Sequence, residues 1–323
     1  MRKIPINQQL IVFIIFVVLF LVFATFLPGF LTTQNILNLV RSVSVLGILG
    51  LGMSIVVIGR GIDLSMVALL AVPSALVLQQ VQAGHSLPYA LFIGLGLGVL
   101  TALISGFLIA YAEVPALFTT LAMGLILYGV GQSGLFQYEV IELPRGHPLL
   151  DMLGQGEFLG IPSMVLTFAA SVLVVGLFMR KTRLGAFIYA IGDNPNTART
   201  SGVSIRPMIL FQYVLAALVA GFAGLVVASS VGTMNTRLFN SNLIYDVILV
   251  VVLGGIGLSG GRGGVLNVVV GTLLIGTLVN GITIYNVSSL MQDFIKGLIL
   301  LLAILIDSFV NPRNEETAQQ GDI

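Results

Sequence analysis

The fold class this sequence predicts is an all-α, polytopic membrane protein, and three observations predict it. The first is composition. Of 323 residues, 57% are hydrophobic and 8% charged, and mean hydropathy is +1.08, whereas a soluble domain carries about 25% charged residues. The second is run length. A helix needs roughly 20 apolar residues to cross the hydrocarbon core, and about ten such runs follow one another along the chain. The third is sidedness. Basic residues collect in alternate gaps between the runs, as they do on the cytoplasmic side of a bilayer.

The runs, in order, are 11–27, 43–58, 64–78, 88–111 and 115–136, then 161–179, 208–231, 243–258, 265–284 and 290–310. The first is followed by Pro28-Gly29-Phe30 and not by a small-residue cleavage site, so it reads as a retained span. With the N-terminus inside, the inner gaps hold Arg2, Lys3, Arg60, Arg180, Lys181, Arg183, Arg199, Arg206, Arg262 and Arg313. The outer gaps hold Arg41, Arg145 and Arg237, and Lys296 falls within the last run. An even span count with both termini cytoplasmic follows. The acidic loop 137–160 then faces outward. No soluble domain fits between the spans, so residues 1–323 form one transmembrane domain.

Runs 43–58, 64–78 and 243–258 are short for full crossings, and short Gly-interrupted spans point to broken or re-entrant helices around a pathway. Two breaks carry the same triplet, Gly59-Arg60-Gly61 and Gly261-Arg262-Gly263.

The densest charge lies at 180–206, RKTRLGAFIYAIGDNPNTARTSGVSIR, with five bases against Asp193. Within it, Gly192-Asp193-Asn194-Pro195 reads as a helix start with Pro in the first turn. Residues 196–201 can form a short helix that Gly202 ends. A short helix outside the bilayer is a handle for a soluble partner, with Thr197, Ala198 and Arg199 as its contact candidates. A lipid-headgroup contact is the alternative for Arg199.

Several functions are excluded. The chain has no Cys, which removes disulfides, thiolate metal sites and Cys nucleophiles. No G-x-x-x-x-G-K-[ST] run exists, so the chain does not cradle ATP; LGGIGLSGGRGG at 253–264 serves close helix approach and tight turns. His85 and His147 fall in outer loops without companions, so no metal site is expected. Nucleic acid is not suggested, and no catalytic triad or paired-carboxylate site can be assembled. An ion-coupled transporter would need intramembrane acids, for which Asp293, Asp63 and Asp246 are the candidates.

Polar residues near the runs carry two readings each. Asp63 and Ser65 either hold a helix break beside the pathway, or Asp63 caps the helix that starts near Leu64; capping is favoured because Asp is a preferred cap. Thr119, Thr120 and Asn280 either line a polar path or bond helix to helix. Asp293 and Lys296, three apart, can pair on one helix face.

Four stretches, in this order, carry a resemblance: GIDLS at 61–65, VPALFTTL at 114–121, AIGDNPNTARTSGV at 190–203 and LGGIGLSGGRGG at 253–264. The chain resembles ribose-type sugar ABC transporter permeases over nearly its whole length. The resemblance implies a non-enzymatic permease subunit, without cofactor, in the bacterial cytoplasmic (inner) membrane. Its implied partners are a cytoplasmic ABC ATPase, a periplasmic or extracytoplasmic solute-binding protein, and a second permease copy or related permease. The implied cargo is a monosaccharide or similar small polar solute, with a nucleoside or branched-chain amino acid as the alternative. It maps ATPase coupling onto Gly192, Asp193, Asn194, Pro195, Thr197, Ala198, Arg199 and Gly202. The pathway and helix-break residues are then Gly61, Asp63, Ser65, Thr119, Thr120, Gly261, Arg262 and Asn280. Arg60 departs from the family pattern, which has Gly there.

Overall fold

Every predicted apolar run falls on a helix, because a backbone surrounded by hydrocarbon must satisfy its own N–H and C=O groups. The computed structural model describes residues 8–136, 138–144 and 146–310. Arg2, Lys3, Arg145 and Arg313, and with them the sidedness of the two termini, lie outside the described residues.

The chain runs α1 (Gln8–Phe26), α2 (Thr33–Ile58), α3 (Met66–Gln82), α4 (Leu87–Ala110) and α5 (Ala116–Val130), which ends in a π-helical turn, Gly131–Leu135. A small cap follows: β1 (Val140–Glu142), α6 (Pro148–Gly154), β2 (Glu157–Phe158) and β3 (Ile161–Pro162). Next come α7 (Ser163–Lys181), α8 (Arg183–Asp193), α9 (Pro195–Thr200) and α10 (Ile205–Val231). The chain closes with β4 (Thr233–Asn235), a 3-10 turn at Thr236–Asn240, α11 (Leu243–Leu253), α12 (Val265–Ile284) and α13 (Ser289–Val310).

Seven described helices are long and apolar enough to cross a membrane, while α3 and α11 are shorter. The expected short span at 43–58 is corrected: it is the second part of α2, a helix of 26 residues. Its first ten residues were hidden by Asn35, Asn38 and Arg41, whose polarity breaks the apolar run. Thr32 caps this helix by accepting from the Asn35 amide at 3.4 Å. At 243–258 the helix stops at Leu253, and the glycine-rich remainder is non-helical, so the expectation of a short, broken span holds there.

The C-terminal part of α2 and nearly all of α3 are buried, and α10 packs against both and against α4. Helices of this kind associate through close packing, since lipid gives no hydrophobic drive. At Gly224 of α10 an added Cβ would lie 2.1 Å from the Leu70 carbonyl oxygen of α3. Around this centre, α1 leans on α12 and α13 on α11. Phe20 and Phe23 of α1 set their rings edge-on to Phe30, at 5.3 and 5.7 Å between centroids.

The cap lies at the end of the bundle opposite the polar island. β1 pairs antiparallel with β4, Ile141 facing Met234. Buried Thr236 accepts from Gln132 Nε2 at 2.6 Å and donates to the Glu139 carbonyl at 3.0 Å. The described residues of this outer loop, 138–144 and 146–160, therefore pack as a cap on α10, to which the Ser229 hydroxyl also ties them through the Leu150 carbonyl.

This packing yields a prediction. Gly224→Val should abolish recovery of folded protein in detergent, whereas Gly96→Ala, where nothing lies within 4 Å of an added Cβ, should leave it intact. Size-exclusion profiles of the two variants would check this.

Candidate functional site: a three-way junction under the polar island

The polar island is more helical than its sequence suggested. Thr182 ends α7 and caps α8, its hydroxyl accepting from the Gly185 amide at 3.1 Å. Along α8 the buried positions are Gly185, Ile188, Ile191 and Gly192, one face of the helix. Asn194 then caps α9, accepting from the Thr197 amide at 3.0 Å, with Pro195 in the first turn. Gly202 takes φ +87, and the Val203 amide donates back to the Ala198 carbonyl at 3.0 Å, which closes the helix in a Schellman arrangement. The expected start and stop of the short helix hold. The helix is not isolated, because α8 leads directly into it.

One candidate contact is corrected. Ala198 is 3% exposed and packs into the core of its own chain. A partner cannot reach it, and the surface left for one is Asn196, Thr197, Arg199 and Thr200. Asp193, the last residue of α8, is also exposed.

The end of α8 meets both helix breaks. The Gly261 amide donates to the Ile58 carbonyl at 2.8 Å. Arg60 Nε donates to the Ser259 carbonyl at 2.9 Å. The Tyr189 hydroxyl donates to the Gly263 carbonyl at 2.9 Å. Gly192 lies so near that an added Cβ would be 1.8 Å from the Ile58 oxygen and 2.5 Å from the Gly261 nitrogen. At Gly261, φ is +70 and an added Cβ would be 2.6 Å from Asp193 Cα, so conformation and space both demand glycine. The two Gly-Arg-Gly triplets thus face one another across the junction; the repetition reports a contact between two loops. Arg262 is exposed at its edge.

The break at Gly59–Ser65 is bolted down from its other side. Asp63, 1% exposed, accepts from the Ser65 amide at 2.9 Å and the Ser65 hydroxyl at 2.5 Å. The expected capping role is modified: the N-cap is Ser65, and Asp63 closes the turn that precedes it. Buried Thr120 accepts from the Leu64 amide at 3.0 Å and donates to the Ala116 carbonyl at 2.8 Å, tying the break to α5. The Tyr213 hydroxyl of α10 donates to the Ile62 carbonyl at 3.3 Å, and an added Cβ on Gly61 would lie 2.6 Å from that hydroxyl.

The other polar candidates separate. Asn280 of α12 and Asn35 of α2 exchange amide hydrogen bonds at 2.8 and 3.0 Å, a helix-to-helix clasp. Thr119 is buried, and its hydroxyl has no partner among the described residues. Lys296 reaches Asp246 at 3.0 Å, closer than its expected partner Asp293 at 3.8 Å. Asn35, Tyr189 and Tyr213 escaped the sequence reading, since a lone Asn or Tyr carries no pattern.

Together the buried helical core and the long apolar helices around it define a multi-pass α-helical membrane protein. Comparison with known proteins then places it. The family model described as "Branched-chain amino acid transport system / permease component" matches residues 35–304. The chain is similar to the ribose import permease protein of Bacillus subtilis strain 168, 34% identical over 288 residues, covering 87% of this chain and 86% of that one. It is similar to the ribose import permease protein of Escherichia coli K12, 32% identical over 292 residues, covering 90% and 91%. It is also similar to the galactofuranose transporter permease protein of E. coli K12, 33% identical over 274 residues, covering 85% and 79%. No solved structure matches it significantly. The chain belongs to this permease family, in its ribose-type ABC branch.

The bolt at Thr120 is testable. Thr120→Val leaves the Leu64 amide unpaired in a half-buried site and should cost about 1 kcal/mol, while Thr120→Ser should stay near wild type. Thermal unfolding of the purified variants in one detergent would check both.

Proposed function

We propose that the chain is the transmembrane subunit of a bacterial ABC importer for a monosaccharide or similar small polar solute. The observation that carries this reading is similarity over most of the chain to permeases whose names specify ribose and galactofuranose. The polypeptide is a transport component, and the ATP chemistry belongs to a separate ATPase. A solute-binding protein delivers the cargo. The family description also mentions branched-chain amino acids, and a thermal-shift screen of the cognate binding protein against sugars and amino acids distinguishes the two cargoes.

The finer picture is ten spans in the cytoplasmic membrane, both ends inside, and two permease copies, or two related permeases, rocking about a shared path. Sidedness supports this picture. Among the described residues the junction end carries Arg60, Arg180, Lys181, Arg183, Arg199, Arg206 and Arg262, an excess expected on the cytoplasmic face.

Coupling runs through the junction. An ATPase gripping the exposed side of α9 moves α8, whose end is in backbone contact with the breaks that follow α2 and precede α12. Rigid packed contacts of this kind transmit displacement where side chains would flex. Gly192, Asp193, Asn194, Pro195 and Gly202 shape the handle, Thr197 and Arg199 meet the ATPase, and Gly61 and Gly261 let the breaks seat.

Reconstituted with its ATPase and binding protein, the chain should drive uptake from ATP inside vesicles and not from an imposed ion gradient; gradient-driven uptake without ATP would overturn the reading. Thr197→Glu combined with Arg199→Glu should lower ATPase capture and solute-stimulated hydrolysis on the order of ten-fold, as lost charge-assisted contacts do. Solute binding to the binding protein should not change. Wild-type capture and hydrolysis would remove α9 from the interface.

A further inference from the structure

Arg41 was expected in an outer loop, and the structure places it inside α2. It lies eight positions past Thr33 and eighteen before Gly59, so about 12 Å along the axis from the outer start and about 27 Å from the junction end. An arginine at that depth is costly and is retained where it faces a bundle interior or a water-filled cavity. Arg41 is exposed, and among the described residues it makes no hydrogen bond or ion pair.

It lines a cavity of about 410 Å³ among α2, α3, α7, α10, α11, α12 and the 3-10 turn, whose walls are mostly apolar and whose other polar lining is Asn38, Ser42, Ser230 and Asp246. That volume lies within the range of small-molecule sites. Ser42 and Ser230 spend their protons on the Leu39 and Val227 carbonyls at 2.9 and 3.0 Å, which leaves oxygen lone pairs. The Asn38 carbonyl takes a long bond from Gln34 at 3.4 Å, and its NH₂ donors are uncommitted among the described residues. Asp246 is held by Lys296 at 3.0 Å, which Asp293 also approaches at 3.8 Å. The cavity therefore offers a donor fork, an amide donor and several acceptors, with Arg41 as the lining charge that makes no ion pair among the described residues.

We propose that this cavity is a solute subsite on the delivery side of the membrane, in which Arg41 donates to oxygens of a sugar in transit. The proposal rests on the importer reading for its cargo. A polyol presents acceptors to Arg41 and Asn38 and hydroxyl donors to Ser42, Ser230 and Asp246. A cation meets Arg41 and finds Asp246 occupied, and an apolar solute leaves the guanidinium without partners. Thr120 and Asn280, two of the residues expected to line the path, are spent on internal clasps, whereas Arg41 and the Asn38 NH₂ keep their donors among the described residues.

The test uses the chain's lack of Cys. Ser42→Cys introduces a single thiol at the cavity, in the assembled transporter in vesicles with the delivery face outward. The probes are two impermeant methanethiosulfonates, one sulfonate-bearing and one trimethylammonium-bearing. Both should label, the anionic reagent on the order of ten-fold faster because of the local positive field. Adding Arg41→Gln should erase that preference. Separately, Arg41→Gln and Arg41→Lys should each lower ATP-driven uptake on the order of ten-fold, since a lysine lacks the planar fork. A thiol inert to both reagents would mean that lipid or a second copy covers the cavity and would overturn the proposal. So would an unchanged reagent preference, or wild-type uptake in Arg41→Gln. Labelling does not require ATP, so this result stands apart from failure of the importer reading.

Discussion

The hydrogen bond from the Gly261 amide to the Ile58 carbonyl is the contact on which the junction end of this molecule depends. Ile58 ends α2, and the last carbonyls of a helix have no partner within it. Deep in a membrane domain such a group must be met by protein or by trapped water. Here it is met by a loop about two hundred positions later in the chain, and that loop is held in turn by Arg60 and Tyr189. Gly192 allows the third segment to reach the same oxygen within van der Waals range.

In the proposed importer, this arrangement is the route by which chemistry on a separate ATPase reaches the spans. The handle is rigid because it is capped at both ends and seated by Ala198. Its base touches the end of α2 and the loop that precedes α12. A push on α9 therefore arrives at backbone. The opposite side of the first break is anchored to α5 through Thr120 and to α10 through Tyr213.

Polar side chains inside the bundle divide by whether their bonding capacity is used up. Asn35 and Asn280 satisfy each other, and Asp63 is occupied by Ser65. Such pairs fix geometry, because breaking one would strand a polar group in a low-dielectric interior. Arg41 and the Asn38 amide are different: they border open volume with donors to spare. Surplus donors beside that cavity are what the proposed solute subsite rests on, and spent donors mark a joint.

The sequence by itself determined the membrane class, the helical identity of every long apolar run, the handle at 180–206 and the absence of an ATP site. Each of these depends on local quantities: run length, charge asymmetry, cap residues and a short phosphate-binding pattern. Only the tertiary structure decided that α2 begins at Thr33, that the Gly-Arg-Gly loops touch, that Ala198 points into the protein, and that Asn280 is a clasp. Those outcomes depend on which groups far apart in the chain come within hydrogen-bonding distance. A carbonyl left over at the end of one helix does not announce, in its own stretch of sequence, which amide will reach it.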